Sequence, residues 1–102
     1  MTTQKQLTEA QGINTCRQIT RLIRACYVSE EDFTDVVYQE HKGSLFFDFK
    51  VYDMRPELQF HLGAFLGGAF GAASINTIAA KTTNKYRGYI RYEIQTTIKN
   101  AK

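Results

Sequence analysis

YRGYIRYEIQTTI, residues 86–98, alternates with a period of two. Ile90, Tyr92, Ile94, Thr96 and Ile98 fall on one side, and Arg87, Tyr89, Arg91, Glu93, Gln95 and Thr97 on the other. Successive side chains of a strand point to opposite faces, so a run of this length predicts a long strand with one face in a core and one in solvent. Such a strand needs partners. Residues 45–53 supply one, with Leu45, Phe47, Phe49 and Val51 on an apolar side and Phe46, Asp48, Lys50 and Tyr52 on the other. The preceding SEEDFTDVVYQEH reads either as a capped helix beginning at Ser29 or as a strand through Val36, Val37 and Tyr38. Its β-branched and aromatic residues, with HKGS behind them as a hairpin turn, favour the strand.

Helical periodicity is clearest over residues 13–27. Ile13, Cys16, Ile19, Leu22, Ile23, Cys26 and Tyr27 share about half of the wheel, opposite Asn14, Arg17, Gln18, Arg21 and Arg24. Arg17, Arg21 and Arg24 follow one another at i, i+4 and i+7, a stripe suited to phosphates or to a carboxylate surface, or to plain solvation. The second helix is read from Pro56 onward, a favoured first-turn residue. It runs into GAFLGGAFGAA at residues 63–73, inside a stretch without Asp, Glu, Lys or Arg from 58 to 80. Leu58, Leu62, Phe65, Leu66, Ala69, Phe70 and Ala73 form one side of it, and Gly63, Gly67, Gly71 and Ser74 much of the other. Glycine in a helix interior costs about 1 kcal/mol relative to alanine, and close approach of another helix would offset that.

The elements therefore predict an α+β fold in the order helix, strand, strand, helix, strand. It is a single antiparallel sheet packed by an N-terminal amphipathic helix and a Gly/Ala-rich helix. The order matches a ferredoxin-like layer lacking its first strand, or a helix-covered sheet of another topology. The 102 residues fit one domain, 1–102, with 1–12 expected to be flexible or peripheral. With 43% hydrophobic and 23% charged residues the chain should fold. The N-terminus lacks a secretory pattern, which makes the cytoplasm the expected compartment. Cys16 and Cys26 sit roughly 15 Å apart along one helix and cannot bridge each other.

Charge is segregated along the chain: +3 over residues 1–28, −5 over 29–57, zero over 58–80 and +5 over 81–102. Such blocks suit an anionic partner, or an oligomer in which one copy complements another. Gly63 and Gly68 have the spacing of a Walker A loop, but Ala69 and Phe70 stand where lysine and a hydroxyl residue are needed, and the dinucleotide glycine pattern is absent too. A membrane span over 62–80 is disfavoured by Ser74, Asn76, Thr77 and the glycines. His41 and His61 belong to no spaced metal-ligand group, and no cofactor is expected. Asp32, Asp35, Glu40, Asp48 and Asp53 lack a partner base that would make them catalytic.

Three function classes remain. The favoured one is a small non-enzymatic interaction protein that self-associates as a homo-oligomer and takes a protein partner, with Gly63, Gly67 and Gly71 as the oligomer packing surface. The second is single-stranded nucleic-acid binding through Arg87, Tyr89 and Arg91, assisted by Arg17, Arg21 and Arg24. Sheets read bases by aromatic stacking with cations on the phosphates. RGYIRYEI starts with the basic-glycine-aromatic triplet of an RNA recognition motif strand but departs from it at Ile90, Arg91 and Tyr92. The third class is a small-ligand or catalytic protein with its pocket beside the glycine-rich segment.

Overall fold

The computed structural model describes residues 4–53, 55–71, 73–80 and 89–97. Two helices and a four-stranded antiparallel sheet make up an α+β fold. The elements are α1 (Gln4–Cys26), a 3-10 turn (Glu30–Asp32), β1 (Val37–His41), β2 (Ser44–Val51), α2 (Pro56–Phe70), β3 (Ala73–Ala80) and β4 (Tyr89–Thr97). The expected order is present, with β3 as an additional strand. The sheet order is β1-β2-β4-β3, and every neighbouring pair is antiparallel. β2 and β3 therefore run parallel with β4 between them, joined over the sheet by α2, so the C-terminal strand fills the gap of a split βαβ unit.

The register follows the period-two pattern. Phe47 lies opposite Ile94, Phe49 opposite Tyr92 and Val51 opposite Ile90, all on one face. Phe49 and Tyr92 stack with centroids 4.8 Å apart. Ile19 and Ile23 of α1 and Leu58, Leu62, Leu66 and Phe70 of α2 close over that face into one buried cluster. Each such side chain contributes about 1.5–3 kcal/mol on full burial. Buried Thr96 donates from Oγ1 to the Leu45 carbonyl at 3.1 Å, which satisfies its hydroxyl.

Residues 29–41 combine both readings of that segment. Ser29 caps the 3-10 turn by accepting from the Glu31 amide, and the chain then enters β1. Phe33 bridges to Val51, and the Thr34 hydroxyl accepts from the Lys50 amide at 2.9 Å, which ties the turn to the end of β2. The hairpin closes on Lys42 and Gly43, both with positive φ, as a two-residue turn matched to strand twist requires.

α1 begins at Gln4, well ahead of the expected start. Its buried line is Thr8, Thr15, Ile19, Ile23 and Cys26, while Ile13, expected on the apolar side, is 41% exposed. α2 starts at Pro56 as expected but stops at Phe70. Gly71 takes φ +78° and donates its amide to the Gly67 carbonyl at 2.9 Å, ending the helix. Ala73 and Ser74, expected on the faces of α2, belong to β3. Among the described residues no helix is long and apolar enough to cross a membrane.

Candidate functional site

Because both helices pack on one face of the sheet, the opposite face carries the polar half of every strand. Pairing sets Lys50 beside Arg91, Asp48 beside Glu93 and Phe46 beside Gln95, and β3 extends the row with Asn76 beside Glu93 and Ile78 beside Arg91. Ile78 is 47% exposed and Val37, on the β1 side, 59%. A shallow depression in this face is lined by Phe46, Asp48, Asn76, Arg91 and Gln95.

Of the residues expected here, Tyr89 and Arg91 share this face, with Lys50 and Tyr52 beside Tyr89. Lys50 Nζ lies 4.8 Å from the centroid of the Tyr89 ring, and Tyr52 meets the same ring edge-on at 6.2 Å. Arg91 is committed elsewhere. Its Nε donates to both Asp48 carboxylate oxygens, at 3.1 and 3.0 Å, its Nη2 donates to Oδ2, and Glu93 lies 3.8 Å away. The hydrogen bonds to Asp48, and then its charge, push the guanidinium pKa further up. The described charges on this face are thus two cations, Lys50 and Arg91, and two anions, Asp48 and Glu93. A phosphate-binding surface needs an excess of positive charge. Arg87 lies outside the described residues.

Arg17, Arg21 and Arg24 are remote from this face, on the outer side of α1 beside β1. Gly63 and Gly67 lie on the exposed surface of α2, where a Cβ built on either meets nothing within 4 Å. Among the described residues no close approach explains them. Gly71 serves as the cap of α2 rather than as part of a helix groove.

Sequence reasoning missed the sheet edge. β3 is an edge strand of eight residues without charge, proline or bulge. The other edge, β1, has five residues and carries Glu40 and His41 before the Lys42–Gly43 turn. The signal for β3 was Gly71, which could end the helix, followed by β-branched Ile75, Thr77 and Ile78. Among the described residues no group of three or more His, Cys, Asp and Glu could hold a metal ion. No protein-family model, curated protein or solved structure matches the chain.

Proposed function

We propose that the chain is a small non-enzymatic interaction protein that works as a homodimer, joined edge to edge through β3, with the combined open sheet face presented to a protein partner. The observation that carries this reading is the uncharged eight-residue edge strand β3. Natural edges are blunted by charge, proline, bulges or shortness. β1 has two of these devices and β3 has none.

A second copy is the occupant that suits β3 because identical edges meet their own residues. Opposed residues of an antiparallel pair share a face, so the two-fold axis lies between a residue and its own copy. A register centred on β3 then sets Asn76 opposite Asn76, or Thr77 opposite Thr77. No like charges meet in either register. The axis is perpendicular to the sheet, which leaves the helices of both copies on one side and joins the two open faces on the other.

The same operation brings α2 beside its copy. α2 packs over β3 and β4, and strands lie about 4.8 Å apart, so two α2 helices would run roughly 10 Å from each other. Helix axes pack at about 8–10 Å when the contact residues are small. α1 covers one flank of α2. Gly63 and Gly67, where an added Cβ meets nothing within 4 Å, would meet the second copy's α2 in this arrangement.

The balanced charge of the described residues of the open face favours a protein over a nucleic-acid backbone as its occupant. Light scattering coupled to size-exclusion chromatography tests the dimer. The wild type is expected at twice the chain mass. Asn76→Lys, which gains Glu93 across β4 within its own chain but brings like charges together across the axis, is expected to be folded and monomeric. A wild type that is monomeric at every concentration overturns the proposal.

A further inference from the structure

On the side of the molecule away from β3, a groove of about 460 Å³ runs between α1 and the start of β1. Ile13, Cys16, Val36 and Tyr38 line its apolar floor, and Arg17, Arg21 and Arg24 stand along its rim. Burial pushes the Cys16 thiol up to about 11, although three guanidinium groups share its helix. Ile13 adds uncovered apolar surface in the same place.

The rim has already chosen one kind of anion. Arg24 Nη2 pairs with the Glu30 carboxylate at 3.3 Å. Among the described residues Arg17 and Arg21 have no hydrogen-bond or ion-pair partner. They stand one helical turn apart, close enough to converge on a single head group, and the planar guanidinium fork matches a carboxylate in two-point contact. From Ile13 to Arg24 the helix advances roughly 16 Å, which gives an apolar chain room to lie along the floor. A mainly apolar depression with a few placed charges is the usual form of a small-molecule site.

We infer that this groove binds an amphiphilic carboxylate, an unbranched alkyl chain seated on Ile13, Cys16, Val36 and Tyr38 with its carboxylate held by Arg17 and Arg21. Neither the β3 edge nor the open sheet face takes part, so the site stays available in monomer and dimer alike.

Decanoate, kept below its micelle concentration, is the probe, with acetate and decyltrimethylammonium as the arms that carry the charge alone and the chain with the opposite charge. Amide NMR shifts should map to residues 13–24 and 36–38 for decanoate only. Alkylation of Cys16 by iodoacetamide should slow at least threefold on binding, whereas that of buried Cys26 should not change. The double variant Arg17→Gln/Arg21→Gln should weaken decanoate at least tenfold with an unchanged circular dichroism spectrum and melting temperature. Equal binding of the alkylammonium, shifts centred elsewhere, or no response to decanoate overturns the assignment.

Discussion

Gly12 lies so close beneath Tyr38 that a Cβ built on it would fall 2.6 Å from two atoms of the ring. This contact brings α1 down onto the edge strand β1, and Tyr38 is itself backed by Phe47 at 6.5 Å between centroids. Gly12→Ala gains helix propensity of about 1 kcal/mol but overpacks the contact at about 1–3 kcal/mol. A net loss of about 1 kcal/mol is expected in urea unfolding. A gain would show that the ring moves aside freely.

Gly67 gives the opposite result in the monomer. Gly67→Ala adds a methyl to open space on a helix, so intrinsic stability should rise by about 0.5–1 kcal/mol. Gly67→Leu should leave the fold intact but hold the two α2 helices apart, raising the dimer dissociation constant at least tenfold. Sedimentation of both variants checks this. A Leu variant that dimerises like the wild type removes α2 from the interface and leaves β3 alone to form it.

Tyr92 stacks on Phe49 in the core, and its buried hydroxyl has no hydrogen-bond partner among the described residues. Leaving such a group unpaired costs about 1–3 kcal/mol. Tyr92→Phe keeps the stack and deletes the hydroxyl. Its thermal midpoint should match or exceed that of the wild type, by up to about 4–8 °C for each kcal/mol gained. A marked fall would mean that the hydroxyl has a partner in solution.

Tyr27 sets an alkaline limit. Burial, then the neighbouring Tyr92, pushes its pKa from 10 up to about 12 despite Arg55 over its ring, and its hydroxyl donates to the Asp53 carbonyl. The folded state holds this proton more tightly than the unfolded chain. The resulting stability is fully present below pH 10 and is lost as the pH rises through 12. Urea midpoints should fall between pH 10 and 12, and Tyr27→Phe should flatten that fall, with a remainder from Tyr92, whose pKa is raised as well. An unchanged slope in the variant contradicts the assignment.

Where a single period dominated, the fold was legible in the sequence. β2 and β4 alternate cleanly because one face is core and the other solvent, and Leu58, Leu62, Leu66 and Phe70 mark α2 at four-residue steps. β3 was hidden because Ala73–Ala80 is small and uncharged, and merges with the Gly/Ala tail of the helix before it. On α1 the expected apolar side packs on the core from Cys16 to Tyr27, and Ile13 is the exception. Gly12 and Thr15 pack inward through small size and close approach, signals that hydrophobicity does not carry, while Ile13 points to the arginine groove. At the candidate site, Tyr89 and Arg91 were correctly set on one face, but the pairing of Arg91 with Asp48 depends on strand register, which alternation alone cannot supply.

Amide hydrogen exchange along Ala73–Ala80, measured over a hundredfold range of protein concentration, tests the β3-to-β3 dimer most directly. Half of the amides of an edge strand point away from its one neighbour. The account predicts that these amides gain protection as concentration rises, in step with the dimer fraction, while the β1 edge stays fast at every concentration. Fast, concentration-independent exchange of the outward β3 amides in a sample whose mass is dimeric would contradict it.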